Sequence, residues 1–275
     1  MGTRQSDQLA ALAKVVKTQE GMSVTNNLEG NASNGHPTSA GHLRREALRS
    51  RSVAPLHIVI AIYPGGTLLD FAGPSEVFHR LPNTIIRFAS REGGPVTLEY
   101  GVVFGRTDRL AEIEKTDLLL VPGAPDMTAA MTPEFLAQIR RLAESAKHVT
   151  SVCTGSLALA AAGILKGKRS ACHWALVNKL AEYGAIPVAD RFAEDDNGRF
   201  MSGGGVTSGI DFALRVAEKL KGRASAEFAQ LIIEYDPAPP FHSGHPRNAS
   251  PEVIAMVENL LPGATKGLAS IPGVR

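Results

Sequence analysis

The residues best suited to chemistry lie in Val149-Thr150-Ser151-Val152-Cys153-Thr154-Gly155-Ser156. A β-branched, apolar run ends at a cysteine. A small residue and a glycine follow, and then a helix-forming stretch from Leu157 to Gly163. Strand, sharp turn and helix in that order make a nucleophile elbow, which holds the side chain at the tip of the turn between two rigid elements. The unpaired N–H groups and partial positive charge of the helix start favour a thiolate. Cysteines so placed titrate at roughly 3.5 to 7.5, against about 8.5 when free. Ser151 stands where the first glycine of G-x-S-x-G would be, so the full hydrolase pattern is not present. The competing reading is a buried strand-end cysteine that packs as a small hydrophobe.

Asp70 is the second candidate. It sits between apolar residues in Leu68-Leu69-Asp70-Phe71-Ala72, where a carboxylate must find a partner or take up a proton. It reads either as the N-cap of the following helix or as an acid that holds the thiolate and moves a proton. Gly123 and Ala124 follow an apolar strand, and their N–H groups, with that of Thr154, are candidates to stabilise negative charge growing on a substrate atom. His173, in Ala171-Cys172-His173-Trp174, is open to two readings: a base for the cysteine or a hydrogen-bonded structural residue. Cys172 lacks a turn-and-helix context and reads as core. Ser202-Gly203-Gly204-Gly205-Val206-Thr207-Ser208-Gly209 has no Walker lysine and reads as a tight turn before a helix. His242 and His245 have no further ligand cluster around them, so no metal site is expected.

These residues need a scaffold that brings distant loops together. His57-Ile58-Val59-Ile60-Ala61-Ile62-Tyr63 and Asp117-Leu118-Leu119-Leu120-Val121 read as strands buried on both faces. Residues 85–89 and 96–100 are further strand candidates. Gly73-Pro74 opens a helix through Val77 and Phe78, and Thr132-Pro133-Glu134 caps another whose apolar positions run from Phe135 to Ala143. Helices are also expected over 176–183, 210–220 and 228–235, and after Ser250-Pro251-Glu252. Buried strands alternating with helices give an α/β fold: a parallel-rich sheet with helices on both faces. In such sheets ligands bind at the carboxyl edge, where the loops of Asp70, Gly123 and Cys153 would meet.

Composition bounds the rest. The 275 residues are 44% hydrophobic and carry 29 basic and 27 acidic side chains, with no dense basic stripe, so a nucleic-acid partner is not expected. No apolar stretch approaches the roughly 18 residues of a membrane helix. The two cysteines fit a reducing, cytoplasmic compartment better than a secreted framework. Residues 1–54, polar and glycine-bearing apart from the amphipathic run Leu9 to Lys17, read as a disordered extension. The domain is expected over 55–265, with a short tail at 266–275.

From about Leu56 to Leu261 the chain resembles the ThiJ/PfpI superfamily, whose fold is glutamine-amidotransferase-like and flavodoxin-like. Within it, the chain is most similar to the isocyanide (isonitrile) hydratases. The resemblance rests on Leu69-Asp70-Phe71-Ala72-Gly73-Pro74, Val121-Pro122-Gly123, Cys153-Thr154-Gly155-Ser156, His173-Trp174, Gly203 to Leu214, and Glu234-Tyr235-Asp236-Pro237. It implies that Cys153 is the nucleophile, Asp70 the neighbouring acid/base, and Thr154 a site residue just after the elbow. Val206 would line the site where the family often has isoleucine. Two positions depart from the pattern: Ala124 replaces a second glycine, and Cys172 replaces a threonine. The implied activity is that of a hydro-lyase turning isocyanides into N-formamides through a covalent thioimidate. It needs no cofactor and no metal, acts on a small molecule, and is carried by a homodimer. Two alternatives stay open: a ligand or redox sensor like the amino-terminal domain of AraC-type regulators, and a glyoxalase-like activity on dicarbonyls. Glutamine amidotransfer is disfavoured because no H-x-E follows the cysteine, and PfpI-type peptidase activity because Thr154 stands where those enzymes have histidine.

Overall fold

The computed structural model describes residues 54–261. The extension expected before Ala54, its amphipathic run, and the tail 266–275 lie outside the described residues.

Strand β1 (Leu56–Ala61) is the centre of the sheet, and its run of aliphatic side chains is buried from Ile58 onward. It pairs in parallel with β2 (Thr84–Ser90) on one side and β5 (Leu118–Val121) on the other. The parallel series continues through β6 (His148–Val152) and β10 (Phe200–Gly203). Strands β3 (Gly94–Thr97) and β4 (Val103–Arg109) close one edge, and β9 (Phe192–Asp195) closes the other, antiparallel to β10. The eight strands run in the order β3-β4-β2-β1-β5-β6-β10-β9. A separate parallel pair joins β7 (Arg169–Ala171) to β8 (Ile186–Val188).

Alternation along β1 divides the core. Val59 and Ala61 face α2 (Pro133–Ser145) and α3 (Gly155–Ala161), packing with Phe135, Ile139 and Leu157. Ile58 and Ile60 face α1 (Leu68–Phe78), α4 (Ser208–Lys221) and α5 (Arg223–Ile232), packing with Phe71, Val77 and Phe212. Both faces are therefore covered, as an apolar parallel sheet requires. A last helix, α6 (Pro251–Leu260), starts at Ser250, whose hydroxyl accepts the Val253 N–H, and buries none of its residues.

Several elements differ from the sequence expectation. Helix α1 begins at Leu68, not at Gly73, and contains Pro74. Burial of Phe71 beside Val77 and Phe78 carries the helix through the proline, which packs against Gly209 of α4. Asp70 therefore sits within the first turn, and Thr67 occupies the N-cap position. Residues 177–183 form a 3-10 helix ended by Gly184 in the left-handed region. Strands β4, β7, β9 and β10 escape the sequence patterns because they are short or carry polar side chains, as in Phe192-Ala193-Glu194-Asp195.

Candidate active site

Strand β6 delivers Cys153 to the carboxyl edge of the sheet, between β5 and β10. Its backbone adopts φ 57°, in the left-handed region that a non-glycine residue enters only where its surroundings impose it. The Cys153 N–H donates to the Gly204 carbonyl at 2.7 Å, and Gly204 in turn donates to the carbonyl of Arg191 at 2.9 Å. The glycine-rich turn before α4 is thus the backbone support of the elbow. Helix α3 then starts hard against β5: a Cβ on Gly155 would lie 2.1 Å from the Val121 carbonyl oxygen, so no other residue fits there.

Asp70 reaches the elbow from α1 and is wholly buried. Its Oδ2 accepts the Gly123 N–H at 2.8 Å, while Oδ1 has no hydrogen-bond partner. Burial pushes this carboxyl up to about 7, and the charge of Glu99 adds to the rise. The Gly123 N–H and the adjacent Cys153 thiol pull the other way. The thiol therefore neighbours the carboxyl, although the geometry forms no well-aligned bond to Oδ1.

The charge state of Cys153 corrects the sequence expectation of a depressed pKa. Burial pushes the thiol well above its ordinary value, and the charge of Asp70 and the nearby Cys172 push it further. The Thr154 N–H opposes this without overcoming it. A thiol only 5% exposed has lost most of the water that would solvate a thiolate. The negative charge of the pair resides first on Asp70.

The expected trio of N–H donors is also corrected. Gly123 gives its proton to Asp70, and Ala124 gives its own to Thr154 Oγ1 at 2.8 Å. The Thr154 hydroxyl returns a bond to the Ala124 carbonyl at 2.8 Å. Of the three N–H groups, only that of Thr154 acts on the sulfur. Gly123 is a crossing point instead: a Cβ there would lie 2.6 Å from the Thr154 nitrogen and 2.9 Å from Asp70 Oδ2.

His173 lines the same cavity as Cys153. Its Nδ1 accepts the Ala175 N–H at 3.3 Å, which places the proton of the neutral ring on Nε2. Burial lowers its pKa and keeps it neutral. The neutral ring presents a donor at Nε2 and an already engaged acceptor at Nδ1, which does not suit the reading of it as a base. Val206 and Ala124 also line the cavity, whereas Asp70 and Gly123 stand behind its wall. Cys172 is buried, with its thiol pushed up to about 12 by that burial, and both cysteines are free. Among the described residues no group of three His, Cys, Asp or Glu side chains gathers as metal ligands, and no helix is long and apolar enough to cross a membrane.

Two site residues have no clear signal in the sequence. Tyr63 donates its hydroxyl to the Pro122 carbonyl at 2.8 Å, fixing the chain just before Gly123. Its one hint was a phenol at the end of an aliphatic run. Glu99 lines the cavity and accepts the Thr67 hydroxyl at 3.0 Å. Nothing in its local sequence marks it as a neighbour of Asp70.

The cavity beside the sulfur has a volume of about 1120 Å³. A cysteine on a strained strand-to-helix turn, a buried acid behind it and a cavity before it define an α/β protein of the cysteine-elbow class. The chain belongs to the DJ-1/PfpI family, whose signature matches residues 57–219. It is similar to an isonitrile hydratase of Pseudomonas putida, 42% identical over 200 residues that cover 72% of this chain and 87% of that protein. It is also similar to the HTH-type transcriptional regulator CdhR of Pseudomonas aeruginosa, 30% identical over 167 residues that cover 58% of this chain and 49% of that protein. Among solved structures, a ThiJ/PfpI family protein from Pseudomonas syringae aligns with a TM-score of 0.73 at 36% identity, covering 77% of this chain and 88% of that one. DJ-1beta of Drosophila melanogaster shares the fold, with a TM-score of 0.59 at 19% identity over 66% of this chain and 98% of that one.

Proposed function

We propose that the protein hydrates isocyanides to N-formamides, with Cys153 as nucleophile and Asp70 as the group that moves the proton. The observation that carries this reading is the adjacency of Cys153 and Asp70, the thiol opening onto a cavity and the acid closed off behind it. The similarity to an isonitrile hydratase over most of both chains supports it.

The perturbed pair suits this reaction. An isocyanide carbon needs a nucleophile and a proton together. With Asp70 ionised and the thiol protonated, the carboxylate accepts the thiol proton as sulfur bonds to the terminal carbon of R–N≡C. That proton is passed to the same carbon, giving R–N=CH–S–Cys153. Water adds across the C=N bond, the nitrogen gains a proton, and the C–S bond breaks. The products are R–NH–CHO and the restored thiol, so one water is consumed per turnover. The Thr154 N–H, which acts on the sulfur, eases its departure. No step calls for a metal or an organic cofactor.

The test is incubation of the purified protein with an alkyl isocyanide and detection of the formamide by mass spectrometry. Turnover by wild type and its loss in Cys153→Ala is the expected result; equal turnover in both would refute the reading.

A second reading, a non-catalytic sensor acting in a cytoplasmic homodimer, draws on the similarity to CdhR, of which this chain spans about half. It requires stable ligand binding or oxidation of Cys153 without turnover of isocyanides or dicarbonyls. Sedimentation tests the homodimer in either case.

A further inference from the structure

We infer that the cavity selects uncharged isocyanides with an extended apolar substituent, and that Leu69, Leu260 and Leu261 read the length of that substituent. The inference rests on the isocyanide reading given above. It starts from the shape of the reacting group. The C≡N–C unit of the incoming isocyanide is linear, so the substituent stands two bonds beyond the carbon that meets the sulfur, and the unit bends at carbon and nitrogen as R–N=CH–S–Cys153 forms. The space open to the substituent beside Cys153 is the cavity.

That space is far larger than the reacting group. Ligand pockets of roughly 300 to 1,000 Å³ hold drug-sized molecules, and this one measures about 1120 Å³. Its outer wall carries leucines from opposite ends of the described chain: Leu68 and Leu69 at the start of α1, and Leu260 and Leu261 at the end of α6. All four are exposed, Leu260 by 78% and Leu261 by 49%. Apolar side chains lining a cavity yet still open to water gain from a ligand that covers them.

The polar groups nearest the sulfur offer a substituent little. The Thr154 hydroxyl is engaged twice with Ala124, and His173, its Nδ1 engaged with Ala175, keeps only the Nε2 proton to offer. The charged lining residues are Glu99, Glu182 and Lys179, with buried Asp70 behind. Acids outnumber bases, so a carboxylate on the substituent meets net repulsion and loses water, with Lys179 the one cation among the lining residues to offset it.

The experiment uses straight-chain alkyl isocyanides from ethyl to octyl, together with one bearing a terminal carboxylate. Burying one methylene is worth about a three- to four-fold change in an equilibrium or rate constant. The expected result is a kcat/KM that climbs by about that factor per carbon across the series, with the carboxylated compound at least about ten-fold below its uncharged counterpart. Leu261→Ser should lower the octyl-to-ethyl ratio, and Leu69→Ser should do the same from the opposite wall. Leu231→Ser, on α5 and outside the cavity lining, should leave the ratio as in wild type.

A second measurement needs no turnover. Calorimetric binding of the matching N-alkylformamides to Cys153→Ala should tighten with chain length by a similar factor. A flat dependence on length in both series, or a preference for the carboxylate, overturns the inference even if isocyanides are hydrated. Length-dependent formamide binding with no hydration of any isocyanide would overturn the catalytic reading and keep the apolar selectivity of the cavity.

Discussion

Asp70 and Gly123, 53 residues apart in the chain, are joined by a bond from the Gly123 N–H to Oδ2 at 2.8 Å. That bond fixes one carboxyl oxygen and leaves Oδ1, buried and without a hydrogen-bond partner, as the oxygen free to exchange a proton. Orientation and proton transfer are thus divided between the two oxygens of one side chain.

Asp70→Asn separates these roles. The amide oxygen can keep the Gly123 bond, so the fold should persist with a melting temperature at least as high as that of wild type at neutral pH. Proton transfer is lost, and kcat should fall by about 10²- to 10⁴-fold. Thermal denaturation and steady-state turnover on the same samples check both halves. A variant that stays folded and active would remove Asp70 from the chemistry.

The pH dependence follows from the directions of the two shifts. The competent pair holds one proton, on sulfur, with Asp70 ionised. Activity should therefore rise through pH about 7 as Asp70 ionises and fall only well above the ordinary thiol range, where Cys153 ionises. Glu99→Gln removes the neighbouring charge that raises Asp70, so the acidic limb should move to lower pH. Stability runs the other way. Asp70 titrates at about 7 when folded, against an ordinary value of 3.8, so the folded state holds that proton more tightly. Its contribution is complete below the unfolded value and is lost as pH rises through about 7. Melting temperatures of wild type should fall over this window relative to those of Asp70→Asn, and parallel curves would contradict the raised carboxyl.

The scaffold was legible in the sequence wherever apolar runs were long, and the site wherever a residue was out of character. Strands β1, β5 and β6 and helices α2 and α4 follow from apolar spacing and capping, and Asp70 from being an acid among apolar neighbours. The destinations of single N–H groups were not legible. Gly123 and Ala124 look alike as strand-end donors, yet one serves Asp70 and the other Thr154, which depends on side chains contributed from α1 and the elbow. The charge on Cys153 was missed for a related reason. The helix start argues for a thiolate, but the sequence does not display the depth of burial, which dominates, with the charge of Asp70 adding to it.

Gly123→Ala and Ala124→Gly should behave oppositely despite their adjacency. A Cβ at Gly123 would collide with the Thr154 backbone and the Asp70 carboxyl. That substitution should cost about 1–3 kcal/mol of stability and most of the activity. Ala124→Gly only removes a methyl from the cavity wall, so it should leave the fold intact and shift KM more than kcat. Denaturant unfolding and kinetics of the two variants check this, and a benign Gly123→Ala would show that the three loops do not meet as tightly as described.

The left-handed backbone of Cys153 depends on support that extends to the far side of α4. Cys153 is held by the Gly204 carbonyl, and Gly204 by the carbonyl of Arg191. The Arg191 side chain is pinned by Asp211, whose other oxygen accepts the Tyr235 hydroxyl at 2.7 Å. Asp211→Ala strips both partners at once. It should cost about 1–2 kcal/mol, and by freeing residue 191 it should let the elbow relax from φ 57°. The expected kinetic signature is a fall in kcat with KM little changed, measured well below the melting temperature so that every molecule is folded. Tyr235→Phe, which removes one of the two bonds, should lie between that variant and wild type. If kcat per folded molecule is the same in all three, the support stabilises the fold without positioning the cysteine.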